Sequence, residues 1–170
     1  MQRPGPEEFP PYFARYVALV TEHDVLSALR GQVDVVKQFA AQVPKEQELH
    51  AYAPGKWTIR QVMGHLADVE RVFGYRVLRF SRADDTPLPG FDENTYVDHA
   101  TFDDLSLGDL VEDLVLVRAA NVRLLAALRE PQWSQSGIAN GTHVTVKAMA
   151  YMMAGHVRHH LNVLHERYGV

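Results

Sequence analysis

YMMAGHVRHHLNVLHERY, residues 151–168, holds four of the nine histidines of the chain, and its apolar residues recur with the period of an α-helix. Successive residues of an α-helix are rotated by about 100°. On this projection His156 lies at the centre of an apolar face, and His160 lies about 40° away on the same face. His159 falls at the edge of that face, whereas His165 points to the opposite side. The stretch therefore predicts an amphipathic helix that turns two histidines inward.

The spacing of the two inward histidines is typical of metal ligands. His156 and His160 are four residues apart, which places their Cβ atoms about 6 Å apart on adjacent helical turns. Zinc helices of the HExxH type use the same spacing. A lone histidine on an apolar face is more often a hydrogen-bonded core residue, so the metal hypothesis depends on the pair. Gly155 precedes the pair and is expected to allow another helix to approach closely.

A third histidine lies in WTIRQVMGHLADVERVFGYR, residues 57–76. Thr58 and Gln61 form a capping-box pattern at the start of this predicted helix. His65 projects about 60° from the centre of its apolar face, still inward. Three imidazoles with an open fourth position indicate a catalytic type of metal site. Zinc or nickel is the expected ion, and iron or manganese stays open because ligand type alone does not select among them.

The rest of the chain shows the same helical periodicity. Four long periodic stretches are separated by Gly and Pro, and the first has a candidate break near His23-Asp24 or at Gly31. We expect a single all-α domain over residues 1–170, a four-helix bundle with an extended N-terminal segment. No stretch shows the alternation of a strand, and the connection between the second and third helices is unusually long. The helices are expected at 13–43, 56–82, 106–130 and 142–168, the extended segment at 1–12 and the long connection at 83–105.

Composition excludes several classes of function. The chain has no cysteine, so a transition metal must be bound by histidine and carboxylate groups. The formal net charge is −4 without a cluster of Lys and Arg, which argues against nucleic-acid binding. No apolar run reaches the roughly 20 residues that span a bilayer, and the N-terminus lacks the apolar segment of a signal peptide. We therefore expect a cytoplasmic protein that binds neither nucleic acid nor membrane.

Three segments together resemble the DinB/YfiT-like superfamily of small metal-binding helical proteins. APGKWTIRQVMGHLADVER, residues 53–71, resembles its first signature, which has a tryptophan, a capping residue and a histidine-bearing helix. GFDENTY, residues 90–96, resembles the intervening segment, and residues 151–168 resemble the C-terminal helix with His-x-x-x-His. The resemblance covers roughly residues 13–168.

This resemblance implies a ligand set and a range of activities. The metal ligands of the family correspond to His65, His156 and His160, the residues that the helical projection selects. The family implies a four-helix bundle, commonly a homodimer. Members are mostly described as metal-dependent hydrolases, and some relatives use a low-molecular-weight thiol as S-transferases or isomerases.

Three functions remain open on the sequence. We favour a divalent-metal-dependent hydrolase that acts on a small-molecule substrate with metal-activated water. The first alternative is an S-transferase or isomerase that activates a low-molecular-weight thiol. The second is a non-catalytic binding protein that the metal stabilises.

Catalytic residues are not determined, and the candidates are weak. Asp68 and Glu70 follow His65 and could orient an imidazole or accept a proton. A solvated acid paired with Arg71 or Arg60 is the more common outcome for either carboxylate.

Other candidates lie further from the predicted metal ligands. Arg76 projects to the same side as His65, where it could bind an anionic substrate or pair with an acid such as Glu112. Asp92 and Glu93 lie in the long connection and could cover the site. We expect Trp57 to pack beside the helix cap.

Overall fold

The computed structural model describes residues 2–170, which form seven α-helices and one two-stranded sheet. The elements have the following bounds: α1 Ala14–Leu19, α2 Val25–Gln42, α3 Ile59–Ser81, α4 Glu93–His99, α5 Leu107–Ala126, α6 Glu130–Trp133, β1 Ser136–Ala139, β2 Thr142–Thr145 and α7 Val146–Val163. A π-helical turn, Leu164–Tyr168, continues α7.

The four long helices, α2, α3, α5 and α7, form the expected bundle. Helix α3 packs against α5 and α7, and α2 packs against the same two helices. Helix α3 begins after a complete capping box, in which the Gln61 amide donates to Thr58 Oγ1 at 3.1 Å and the Thr58 amide to Gln61 Oε1 at 3.0 Å. The all-α four-helix prediction is confirmed.

The first predicted stretch is interrupted as its polar residues indicate. Asp24 caps α2, accepting hydrogen bonds from the amides of Leu26 and Ser27. The break therefore falls at His23-Asp24, and Gly31 lies inside α2.

A β-hairpin precedes α7, where no strand was expected. The pair β1–β2 is antiparallel and four residues long on each side. Asn140 and Gly141 form its turn with φ values of 52° and 72°, the left-handed conformations that a two-residue type I′ turn requires. The prediction was wrong here because these strands are too short to show alternation, although the Asn-Gly pair itself favours a hairpin.

The long connection is also more ordered than a loop. It contains α4, which Asp92 caps by accepting a hydrogen bond from the Thr95 amide at 2.7 Å. Leu88 bridges to Ala139 of the hairpin. The connection is thereby attached to β1, close to the start of α7.

The N-terminal segment contains two 3-10 turns, Pro6–Glu8 and Pro11–Phe13, where an extended segment was expected. Met1 lies outside the described residues. Phe9 is buried in the core. Glu8 pairs with Lys147 at 2.8 Å, which fixes the segment to the first turn of α7.

Gly155 permits a close helix contact, as the sequence predicts. A Cβ atom at this position would lie 2.0 Å from the backbone oxygen of Tyr16. The backbone of α1 therefore packs directly on α7, next to His156.

A buried polar network separates two apolar clusters of the core. Arg118 of α5 donates from Nε and Nη2 to both carboxylate oxygens of Glu70 on α3, each at 2.8 Å. Its Nη1 donates to Gln32 Oε1 on α2 at 2.7 Å, and Gln32 Nε2 donates to the Ala154 carbonyl of α7 at 2.7 Å. All four long helices contribute a group, at the point where each passes from one apolar cluster to the other.

Removing the cation of this network is expected to destabilise the fold strongly. Arg118→Met leaves the Glu70 carboxylate buried without its partner, and breaking a buried pair in this way costs about 3–5 kcal/mol. Arg71→Met is the matched control, since Arg71 pairs with Asp113 at 2.5 Å but both side chains are nearly half exposed. Such a surface pair contributes about 1 kcal/mol or less.

The free energy of unfolding from urea titration measures both changes. A loss in Arg118→Met no larger than that in Arg71→Met would show that the network does not hold the bundle together.

Candidate metal centre

Three histidine side chains from two helices converge on one point. The Nε2 atom of His156 lies 3.1 Å from Nε2 of His65 and 3.1 Å from Nε2 of His160. One nitrogen from each ring lies within 4.8 Å of the others. His65 and His156 are buried and His160 is half-buried. The structure thus brings together the three residues that the sequence selected.

The spacing of these nitrogens fits a metal ion. Metal–imidazole bonds of about 2.0–2.1 Å at angles between octahedral and tetrahedral values separate two ligand nitrogens by roughly 2.9–3.4 Å. The observed 3.1 Å separations lie within that interval. One proton can bridge one pair of ring nitrogens, whereas a cation satisfies three lone pairs at once. The donor set consists of imidazoles alone, which suit zinc, nickel, copper and iron.

Burial keeps the three imidazoles in the form that binds metal. Desolvation lowers the pKa of His65 to about 4. Desolvation also lowers the pKa of His156 and of His160 well below its usual range, and the neighbouring histidines add to the effect. All three rings are therefore neutral near pH 7, as ligation requires.

Aromatic side chains hold the rings in place. The Trp57 ring centroid lies 4.7 Å from that of His65. Tyr16 meets His156 edge-on at 5.6 Å, and Phe73 lies 6.4 Å from the same ring. Trp57 does more than pack beside the helix cap, because it forms part of the site wall.

A cavity of about 670 Å³ opens beside the three histidines. Its wall comes from the N-terminal segment, α1, α3, the long connection, the hairpin and α7. The wall includes aromatic and aliphatic side chains such as Phe13, Phe73, Val144 and Met152. Because the three histidines line this cavity, a small molecule in it can contact their imidazoles.

The two acidic candidates on α3 do not reach the cavity. Asp68 is half-buried outside it and lies 3.9 Å from Arg71, the surface pairing that was expected; burial raises the pKa of its carboxyl group. Glu70 was expected to be solvated and to pair with Arg71 or Arg60, and this was wrong. It is 2% exposed and bound to Arg118, so it is a structural group.

The other candidates divide between the cavity and the scaffold. Arg76 is buried on the cavity wall and forms no ion pair with Glu112. Glu93 also lines the cavity, whereas Asp92 serves as the cap of α4. His165 is exposed, as expected.

Some groups on the cavity wall were not among the expected site residues. His159 was placed at the edge of the helix face, and it lines the cavity with its ring 5.1 Å from both Tyr16 and His160. The apolar periodicity of the sequence does not indicate that Tyr16 or the N-terminal segment lies beside α3 or α7. Only the close packing that Gly155 permits could have indicated that this part of the chain reaches the site.

These features define a helical-bundle protein with a three-histidine centre at the edge of a large cavity. The DinB superfamily profile matches residues 28–164, and the chain belongs to this superfamily.

Similar proteins include one curated relative and two solved folds. A Bacillus licheniformis protein named "Putative metal-dependent hydrolase" is 34% identical over 141 residues, covering 78% of this chain and 77% of the relative. The structure of YfiT from Bacillus subtilis, described as a "probable metal-dependent hydrolase with an unusual four-helix bundle topology", superposes with a TM-score of 0.74 at 20% identity, covering 99% and 94% of the two chains. A mycothiol-dependent maleylpyruvate isomerase superposes at 0.64 with 16% identity, covering 87% of this chain and 62% of the isomerase. At these identities the two structures show the shared fold.

Acid is expected to destabilise the metal-free protein through these histidines. An unfolded histidine has a pKa of about 6.5, and that of folded His65 is about 4. Between these values the unfolded chain takes up a proton that folded His65 does not. The free energy of unfolding therefore falls as the pH is lowered from 6.5 towards 4, by about 1.4 kcal/mol per pH unit for this group.

Urea unfolding of chelator-treated protein between pH 7.5 and 4.5 measures this dependence. His65→Gln should reduce the slope, and His23→Gln, at an exposed position, should leave it unchanged. Equal slopes in the wild type and His65→Gln would contradict the assigned shift.

Proposed function

We propose that the chain is a divalent-metal-dependent hydrolase in which His65, His156 and His160 hold the metal through their Nε2 atoms. The observation that carries the proposal is the convergence of these three neutral nitrogens on the wall of a cavity large enough for a small-molecule substrate. Three protein ligands with an accessible fourth position are typical of catalytic rather than structural metal sites. Zinc or nickel is the proposed ion, ahead of iron or manganese.

The relatives support this proposal. The Bacillus licheniformis protein aligns over most of both chains and carries a name of the same activity class. The whole described chain also shares its fold with YfiT.

The proposed reaction requires both a bound metal and the cavity beside it. A bound metal would supply a Lewis acid and lower the pKa of a water molecule towards neutrality. The aromatic and aliphatic side chains on the cavity wall lower the local dielectric constant and thereby strengthen electrostatic interactions at the site. Besides the three ligands, His159 and Glu93 are groups on the wall that can accept a proton, and burial lowers the pKa of His159 so that its ring is neutral near pH 7.

Single alanine variants test the ligand set. His65→Ala, His156→Ala and His160→Ala should each weaken metal affinity by about tenfold or more, since changes even in groups that only support ligands cost about 10- to 100-fold. His165→Ala is the matched control, because its exposed side chain leaves the same helical segment in the other direction. Elemental analysis after equal metal loading, with chelator competition, gives the affinities.

Hydrolytic turnover should depend on bound metal. Ester and amide substrates should be cleaved by metal-loaded wild type and by His165→Ala, and not by chelated protein or by the three ligand variants. Full metal content in any of the three ligand variants would contradict the assigned site. Full turnover after complete metal removal would contradict the metal-dependent mechanism.

Thiol-dependent chemistry is the second candidate, favoured by the fold shared with the mycothiol-dependent isomerase. It ranks below hydrolysis because that likeness concerns the fold alone. Thermal unfolding with and without a small thiol separates the two. Stabilisation by thiol that occurs only in metal-loaded protein would favour the thiol reaction over hydrolysis.

A purely structural metal is the third alternative, and the cavity beside the histidines argues against it. None of the helices in residues 2–170 combines the length and hydropathy that crossing a bilayer requires. The homodimer, the cytoplasmic location and the lack of nucleic-acid binding stay predictions.

A further inference from the structure

Arg76 is a buried cation on the wall of the cavity. It lies on α3 about three turns beyond His65 and is 6% exposed. Its Nη2 donates to the Pro89 carbonyl at 3.0 Å, which is the hydrogen bond the structure gives its guanidinium. Among residues 2–170, no carboxylate lies within ion-pair distance of it.

The surroundings of this guanidinium are aromatic. Its central carbon lies 5.8 Å from the ring centroid of Phe73 and 5.9 Å from that of Phe91. Desolvation lowers the pKa of Arg76, yet an arginine side chain stays protonated in proteins. A buried charge without a counter-ion is costly, so this position favours an incoming anion.

The other charged groups on the cavity wall are a second cation, Arg15, and one carboxylate, Glu93. The carboxylate does not neutralise Arg76. Arg15 is exposed and lies over the rings of Tyr12 and Tyr16, and it donates to the Tyr16 hydroxyl at 2.9 Å. Glu93 is exposed on α4 and forms no ion pair with Arg76. Arg76 is therefore the buried charge of this wall with donors left for a ligand.

We propose that the cavity binds a carboxylic acid with an elongated apolar body, and that Arg76 binds its carboxylate. Phe73, Phe91 and Met152 contact the apolar body, and the opposite end of the ligand lies at the three histidines. The proposal names a substrate class for the proposed hydrolase and rests on that function only for the claim that the bound acid is turned over.

Two features select an elongated monoanion. One guanidinium carries one positive charge, so a phosphate dianion would leave a negative charge uncompensated beside apolar side chains. Arg76 follows His65 by eleven positions on α3, which is about 16 Å along the helix axis. The guanidinium and the imidazoles therefore contact different ends of a ligand.

Calorimetric titration with ω-phenylalkanoates, from phenylacetate to 6-phenylhexanoate, and with the corresponding primary amides tests the proposal. The wild type should bind at least one longer carboxylate about 10- to 100-fold more tightly than its amide, the range expected for hydrogen bonds to a charged group. Arg76→Met should abolish this preference by lowering the carboxylate affinity to about that of the amide.

Arg79→Met is the matched control, because Arg79 lies one turn later on the same helix, pairs with Asp84 and does not line the cavity. It should keep the wild-type preference. Arg76→Lys should keep part of this preference. If Arg76→Met fails to fold, the comparison of acid with amide in the wild type still tests the carboxylate preference, because it needs no variant.

Three results would overturn the proposal: no carboxylate preference in the wild type, an unchanged preference in Arg76→Met, or tighter binding of the matching ω-phenylalkyl phosphates than of the carboxylates. Running the titrations on metal-loaded and on chelated protein separates the anion site at Arg76 from the proposed metal site at the three histidines. An Arg76-dependent preference together with full metal content in His65→Ala would remove the proposed metal site and leave the anion site standing. Loss of metal in His65→Ala without any effect of Arg76→Met on the carboxylate preference would support the metal site and remove the anion site.

Discussion

The guanidinium of Arg118 fixes how the four long helices meet. It binds the carboxylate of Glu70 on α3 and the amide of Gln32 on α2, and that amide in turn binds the Ala154 carbonyl on α7. Because these bonds are directional and buried, they select one register of the helices where apolar packing alone tolerates several. Glu70 follows His65 by five residues and Ala154 precedes His156 by two, so the same bonds set the positions of these histidines.

The three-histidine centre depends on this register because its geometry spans two helices. A shift of one helical turn between α3 and α7 is about 5.4 Å, which would separate His65 from the pair on α7. At 3.1 Å the nitrogens of His65 and His156 leave no room for such a shift. Gly155 adds a second constraint, since it lets the backbone of α1 close the site beside His156. The three histidines thus lie at one end of the cavity, which extends from them along α3 to Arg76.

Helical periodicity predicted the bundle and the three converging histidines, because both depend on which side of a helix a residue occupies. The projection was wrong for Glu70, since α3 packs on two long helices and has buried residues around most of its circumference. It placed Arg76 correctly on the inner side but could not tell a free cation from a paired one, which depends on residues distant in sequence. The hairpin at Asn140-Gly141 depends on a local turn, and the cavity wall around Tyr16 depends on a tertiary contact. Neither feature produces a helical repeat in the sequence.

In the proposed site, one metal ion is bound by nitrogens from α3 and α7. Anomalous diffraction at the absorption edge of zinc or nickel, from crystals of protein loaded with that metal, tests it most directly. We expect one strong peak bonded to Nε2 of His65, His156 and His160, at about 2.0–2.1 Å from each for zinc. A fully loaded crystal in which the peak lies elsewhere, or in which the three nitrogens are not bonded to it, would contradict the proposed metal site.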